Sequence, residues 1–122
     1  MEALFHIVDR AAWQDAVALG EYRAESLGTE GFIHCSFASQ VAQVADARFR
    51  DVDGLCVVEL DPARVDAPVV VEDSYGSGMA YPHIYGPIAA SAAVRVHELA
   101  RDAGGDYQFS ASGAAGAAWP DR

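Results

Sequence analysis

The sequence has few cysteines, no long apolar run and no targeting segment, and each shortage excludes a class of protein. Its 122 residues include two cysteines and no Cys-x-x-Cys pair, which argues against a zinc ribbon or a redox motif. No stretch approaches the roughly 20 apolar residues that span a bilayer. The first residues lack the basic region and cleavage site of a signal peptide. We therefore expect a cytoplasmic protein with no membrane partner.

Basic residues are also scarce. The chain carries 8 basic and 18 acidic residues, which gives a formal net charge of −10. So acidic a surface repels phosphate backbones, and this excludes general binding to nucleic acids. One small anionic ligand at a local cationic site is still compatible with this charge. The length corresponds to one domain with a single core.

Strand-like runs outnumber helical ones. Asp9 is a candidate N-cap for a helix from Ala11 to Leu19 that Gly20 ends, and a second helix is expected from Ser36 or Ser39 to about Arg50. Strands are predicted over residues 4–8, 32–35, 55–60, 69–72, 83–88 and 94–99. This pattern predicts an α+β domain over residues 1–101, with a small split or mostly antiparallel sheet and two helices in its N-terminal half. Residues 102–122, rich in Gly, Ala and Ser, are expected to form a flexible tail.

Three histidines lie inside apolar, strand-like runs: His6, His34 and His83. Side chains alternate along a strand, so His34 shares a face with Phe32 and Ser36, and His83 shares a face with Tyr85. A buried imidazole needs hydrogen-bond partners. The pattern therefore indicates a site on a sheet. Three imidazoles could also bind zinc, although no metal motif with short spacing is present.

The candidate site is extended by one carboxylate, Glu72, and by five hydroxyl-bearing residues: Tyr22, Ser26, Ser36, Tyr81 and Tyr85. Tyrosine rings stack on flat ligands, and imidazoles and hydroxyls hydrogen-bond to ribose or phosphate oxygens. Glu72, at a strand end, could orient a ribose hydroxyl or stabilise an oxocarbenium ion. The alternative is that the tyrosines are half-buried sheet residues and that Glu72 is solvated. His97, which alternates with valines, is expected at the surface.

The chain resembles a family of small bacterial domains, domain-of-unknown-function family 952 (DUF952). The resemblance spans about residues 4–97. Its matching segments are His6-Ile7, Tyr22, Glu25-Ser26-Leu27, Gly31-Phe32-Ile33-His34-Cys35-Ser36, Gln40, Leu55-Cys56-Val57-Val58-Glu59-Leu60-Asp61, Glu72 and Pro82-His83-Ile84-Tyr85-Gly86-Pro87-Ile88.

The resemblance implies a distant branch of the ADP-ribosyltransferase fold, which includes the RNA 2′-phosphotransferases. That fold is a split sheet around a cleft for NAD or an ADP-ribosylated intermediate. The run Gly31 to Ser36 approximates the strand pattern of those phosphotransferases, and His6 matches their early strand histidine. The late strand departs from many such transferases, because it reads His83-Ile84-Tyr85 without a glutamate.

We therefore expect an NAD-utilising or ADP-ribose-handling enzyme with a small-molecule nucleotide as its partner, NAD as a possible substrate and no metal. The expected catalytic residues are His83 and Glu72, one of which orients the ribose while the glycosidic bond breaks. The expected substrate-binding residues are His6, Tyr22, Ser26, His34, Ser36, Tyr81 and Tyr85. The alternatives are a non-catalytic small-ligand-binding domain and a metal-dependent hydrolase with a three-histidine site. The sequence does not specify an oligomeric state.

Overall fold

A computed structural model describes residues 1–110 and the backbone of residues 116–118. The elements, in chain order, are β1 (Leu4–Asp9), α1 (Arg10–Leu19), β2 (Glu21–Tyr22), α2 (Glu25–Thr29), β3 (Ile33–His34), α3 (Val41–Arg48), β4 (Leu55–Leu60), β5 (Val69–Glu72), β6 (Tyr81–Ile84), β7 (Ile88–Ala89), β8 (Ala93–Glu98), β9 (Ala100–Arg101), β10 (Tyr107–Gln108) and β11 (Gly116–Ala118). Strand pairing is antiparallel throughout this part of the chain. The predicted α+β class with few helices and antiparallel sheets is confirmed.

Two sheets position the site. The main sheet has the strand order β1-β4-β8-β11, and the second has the order β3-β6-β5. They are joined where Phe5 and Ser36 exchange two backbone hydrogen bonds of 2.8 Å. Beyond this bridge β1 and β3 diverge, so the sheets split and leave one edge of β1 unpaired by any described strand.

Helix α1 forms as its sequence predicts. The Asp9 carboxylate accepts hydrogen bonds from the backbone N–H groups of Ala11 and Ala12, at 2.9 and 3.1 Å, which satisfies two donors of the first turn. Gly20 ends the helix at a φ of +86°, a left-handed conformation that glycine adopts without steric cost. Trp13 and Ala16 form the buried face of the helix.

The core lies on both faces of the main sheet. Alternation along β1 directs Leu4 and Val8 towards α1, and directs Phe5 towards Val41 and Ala45 of α3. Burying one large aliphatic side chain stabilises a fold by roughly 1.5–3 kcal/mol, so these two layers hold β1 and therefore one wall of the split.

The stretch 21–30, for which the sequence predicts no helix or strand, contains β2 and α2. Both elements are too short to show a periodic apolar pattern. In the described residues no helix has the length and apolarity needed to cross a bilayer.

Residues 102–110 differ from the flexible tail expected from residue 102. Tyr107 is buried, and its hydroxyl lies 2.9 and 2.6 Å from the backbone carbonyl oxygens of Phe49 and Val52. Its backbone N–H donates to the Asp46 carboxylate at 2.7 Å. Phe109 of the same segment packs against Phe5. The high Gly and Ala content of the segment hid these two anchoring aromatic residues. The rest of the expected tail, residues 111–115 and 119–122, lies outside the described residues.

Candidate functional site

A cleft of about 570 Å³ opens where β1 and β3 diverge, a size within the range of small-molecule sites. Its walls come from β1, α3, β3, β6 and the loop 73–80 between β5 and β6, with single residues from α1, β2 and α2. The predicted site residues that line it are His6, Tyr22, Ser26, His34, Ser36, Tyr81 and His83. The sequence pattern thus identified side chains that the fold brings together from five separate segments.

His34 and His83 lie directly opposite each other on β3 and β6, on the same face of the second sheet. Their ring centroids are 5.3 Å apart with planes at 79°. Phe32 stacks on the His83 ring, with centroids 4.0 Å apart and planes at 11°. The intervening residues Ile33 and Ile84 point the other way into the core, with no exposed surface. Strand alternation therefore presents both imidazoles on the face opposite the core.

The Glu72 unit consists of Glu72, His83 and Tyr85. The His83 Nδ1–H donates to the Glu72 carboxylate at 2.8 Å, and the Tyr85 hydroxyl donates to the same oxygen. These two donors, the tyrosine first, lower the pKa of Glu72. Glu72 and Tyr85 do not line the cleft. This corrects the prediction that Tyr85 stacks on a ligand: its hydroxyl is committed to Glu72, behind His83.

The Glu30 unit, made of Glu30, His34 and Tyr75, repeats this arrangement on the neighbouring strand. The His34 Nε2–H donates to Glu30 at 2.8 Å, and the Tyr75 hydroxyl donates to the other carboxylate oxygen. The hydrogen bond from Tyr75 is the larger cause, and that from His34 the second, of a lowered pKa for Glu30. Each histidine is therefore oriented by one glutamate that a tyrosine also holds.

His6 occupies the cleft wall with both of its ring nitrogens already used. Nδ1 lies 2.6 Å from the backbone carbonyl oxygen of His34, and because a carbonyl only accepts, Nδ1 carries the proton. Nε2 then accepts from the Tyr22 hydroxyl at 3.0 Å. Burial lowers the pKa of His6 to about 4 and raises that of Tyr22 to about 12, so both are neutral near neutral pH.

The remaining polar atoms of the cleft include one that is already hydrogen-bonded and three that are free. The Ser26 hydroxyl donates to the backbone carbonyl of Phe32 at 2.8 Å. By contrast, no hydrogen bond within the described residues is made by the hydroxyls of Ser36 and Tyr81 or by Nε2 of His83. The predicted residues thus form two groups. His6, Tyr22 and Ser26 are hydrogen-bonded within the protein, whereas Ser36, Tyr81 and His83 offer free polar atoms to a ligand.

The family model described as "Protein of unknown function (DUF952)" matches residues 7–96 of the chain. The chain belongs to the DUF952 family. It is also similar to protein CC0527 from Caulobacter crescentus, with 30% identity. An X-ray structure of CC0527 superposes with a TM-score of 0.77 over 88% of this chain and 94% of that chain. The solution NMR structure of CC0527 gives a TM-score of 0.72 over 88% and 93%. No curated protein matches.

The DUF952 chain also has residues in and beside the cleft that no sequence pattern predicts. Arg48 of α3 lines the cleft, and its guanidinium carbon lies 5.5 Å from the centroid of the Tyr75 ring. Glu30 and Tyr75 come from segments without a periodic pattern. The spacing of four residues between Glu30 and His34 was the one signal that could have linked this pair, and it does so only if a helix or turn intervenes.

His97 of the DUF952 chain is buried, which contradicts its expected place at the surface. Its Nε2 is 2.7 Å from Glu59, and Phe5 and Phe109 pack against its ring. Its register opposite Val57 puts His97 on the face of the main sheet that α3 and Phe109 cover, so this face is buried where a solvated one was expected.

A three-histidine metal centre requires converging open nitrogens, and His6 offers none. Within the part of the DUF952 chain that the structure describes, no group of three or more His, Cys, Asp or Glu side chains is placed to hold a metal ion.

Proposed function

We propose that the cleft binds a nucleotide containing ADP-ribose, either NAD or ADP-ribose itself, and that the protein is an enzyme acting on it. The observation that carries this proposal is the Glu72–His83 pair, because the other ring nitrogen of His83 is free at the cleft. A distant relationship to the ADP-ribosyltransferase fold is part of the same proposal. The splitting of antiparallel sheets around the cleft supports it.

The backbone of Ile7 supports binding of an amide or a base. Along an antiparallel ladder, successive residues alternate the direction of their backbone N–H and C=O groups. Phe5 directs both groups to Ser36, so Ile7, two residues on, directs both of its own groups into the cleft. The ring carboxamide of NAD, or the edge of a base, presents a matching acceptor and donor.

Phosphate and ribose have partners in the same cleft. Among the lining residues that the structure describes, Arg48 carries the one permanent positive charge and could hold a phosphate oxygen. The hydroxyls of Ser36 and Tyr81 are free to bind ribose, and the ring of Tyr75 offers a stacking face.

The chemistry assigned to His83 follows from its hydrogen bond to Glu72. Because Nδ1 carries the proton in that bond, Nε2 of the neutral ring is an acceptor for a ribose hydroxyl. A ribose held in this orientation is positioned for cleavage of the glycosidic bond at its anomeric carbon. Glu72 is a positioning residue, since it acts through His83 and does not line the cleft.

A non-catalytic binding domain is the second candidate. It is favoured by the late strand, which carries His83-Ile84-Tyr85 where many transferases of that fold have a glutamate on the ribose. Incubation with NAD and chromatographic detection of released nicotinamide distinguishes the two candidates, because only the enzyme releases it.

Calorimetric titration tests the binding proposal. Wild-type protein is titrated with NAD and with ADP-ribose, beside His83→Gln and the matched surface control Glu21→Gln. The histidine variant should bind more weakly by about 0.5–1.5 kcal/mol, the scale for one hydrogen bond between neutral partners. The control should bind as wild type does, because Glu21 pairs with Arg23 away from the cleft. Folded wild-type protein that binds neither nucleotide at millimolar concentration would contradict the proposal.

A further inference from the structure

The cleft contains two oriented imidazoles, and orienting a ribose uses only one of them. His34 donates one ring N–H to Glu30, as His83 does to Glu72. The remaining nitrogens, Nδ1 of His34 and Nε2 of His83, make no hydrogen bond to any described residue. Both residues line the cleft, with ring centroids 5.3 Å apart. Two open imidazole nitrogens beside one binding space can act together on one substrate.

We propose that His34 and His83 form a general acid–general base pair that hydrolyses a cyclic ribose phosphodiester bound in the cleft. This inference rests on the proposed function, since it assigns the nucleotide to the same space. The substrate class is a nucleotide or nucleoside whose ribose carries a five-membered cyclic phosphate.

The reaction needs one group that accepts a proton and one that donates it. Nε2 of His83 takes a proton from water while the water oxygen forms a bond to phosphorus. The bond from phosphorus to one ribose oxygen breaks, and protonated His34 gives its Nδ1 proton to that oxygen. The product is a ribose phosphate monoester, and the proton held by His83 returns to His34 through solvent. Proton transfers of this kind typically accelerate reactions by about 10²–10⁴-fold each.

Arg48 offers a phosphodiester a cationic partner at the cleft. Such an ester carries one negative charge, and Arg48 provides one positive charge among the described lining residues, whereas Asp9 provides one negative charge whose Oδ1 is taken by the backbone N–H groups of Ala11 and Ala12. Neither Glu30 nor Glu72 lines the cleft, so their carboxylates act on the imidazoles and do not face the phosphate. Each carboxylate accepts from one ring nitrogen and so orients its imidazole, which leaves the other nitrogen of the same ring open.

Acyl transfer through Ser36 fits the geometry less well. A serine nucleophile needs a base within hydrogen-bond reach. The Ser36 hydroxyl makes no hydrogen bond to either histidine, although all three side chains line the cleft. Water activated by one histidine requires no such contact within the protein.

The test uses 2′,3′-cyclic AMP as the probe and measures the monophosphate product by chromatography across a pH series. Wild-type protein should show turnover with a bell-shaped pH profile. His34→Gln and His83→Gln should each lower kcat by about 100-fold or more, and each should remove one limb of the bell. Circular dichroism confirms that the variants are folded.

The two glutamates are tested as positioning residues. Glu30→Gln and Glu72→Gln should each lower kcat with little change in KM and shift one limb of the pH profile. The shifted limb is the discriminating result, because a smaller fraction of folded protein lowers apparent kcat without moving the profile. Glu21→Gln, a surface glutamate outside the cleft, should match wild type.

The outcomes separate this inference from the proposed function. If folded wild-type protein binds ADP-ribose but does not turn over the cyclic phosphate, the acid–base pair is overturned and the nucleotide cleft stands. Turnover that survives both histidine variants also overturns the pair. Turnover that both variants lose, in a protein that does not bind ADP-ribose, supports the pair and overturns the ADP-ribose assignment.

Discussion

The buried His6 imidazole should make folding stability depend on pH. Its pKa is lowered from an ordinary 6.5 to about 4, mainly because burial disfavours the charged ring. Between these two values the unfolded chain binds more protons than the folded one, so stability rises with pH in this window. The contribution of His6 is fully present above the unfolded pKa and is lost as the pH falls towards the folded pKa.

The size of the effect follows from the shift. Each pKa unit corresponds to about 1.4 kcal/mol, so the whole window is worth about 3 kcal/mol. Titration of the two states gives a loss of about 2 kcal/mol between about pH 7 and pH 5. The carboxylates of Glu30 and Glu72 have lowered pKa values, so their contributions are lost only at more acidic pH.

Urea unfolding at pH 7 and pH 5 measures this loss. His6→Gln removes the titrating ring, so the difference between the two pH values should be smaller in this variant by about 2 kcal/mol. Tyr22→Phe keeps the ring and removes only the hydroxyl that donates to Nε2, so it should retain a strong pH dependence. Equal pH dependence in wild type and His6→Gln would refute the assignment of a buried neutral imidazole.

The C-terminal anchor, one close backbone approach and the two thiols give further tests. Tyr107→Phe should lower the free energy of unfolding by about 1–2 kcal/mol, because the fold loses the hydroxyl proton that the Phe49 and Val52 carbonyls share and the oxygen that accepts from Arg101. Gly86→Ala should cost about 1–3 kcal/mol, since its Cβ would lie 2.7 Å from a neighbouring side-chain carbon, whereas Gly28→Ala meets open space and should not destabilise. Cys35 and Cys56 should resist thiol reagents until the protein unfolds, because burial raises the pKa of both, that of Cys56 to about 11. Denaturation curves and thiol counts check these outcomes, and prompt labelling of native protein would contradict the last.

The sequence was informative where a local rule decides the structure. Alternation along a strand depends only on the backbone, so it correctly placed His34 with Phe32. That His6 reaches the same cleft depends on the topology of the strands, which alternation does not specify. The cap at Asp9 was equally local, because it needs only the two following N–H groups.

The contacts that orient the histidines could not be predicted, because they depend on the paths of connecting segments. Glu30 reaches His34 from the end of α2, and Tyr75 reaches it from the loop between β5 and β6. Neither segment carries a periodic pattern. Tyr85 was correctly placed on the face of His83, but the strand pattern could not show that Glu72 would hold its hydroxyl away from the cleft.

The pairing of β3 with β6 makes the hydrophobic core the device that aligns the two histidines. Ile33 and Ile84 are opposite each other in the core just as His34 and His83 are opposite each other on the other face. A slip of β3 by one residue would turn Ile33 out of the core and His34 into it, at a cost of roughly 1.5–3 kcal/mol for the isoleucine alone. The positions of the two imidazoles are thus set by the buried side chains of Ile33 and Ile84, which do not line the cleft. Truncating either isoleucine should therefore disturb the relative positions of the two imidazoles before the truncation unfolds the chain. A protein of this fold could accordingly change its chemistry through substitutions in its core.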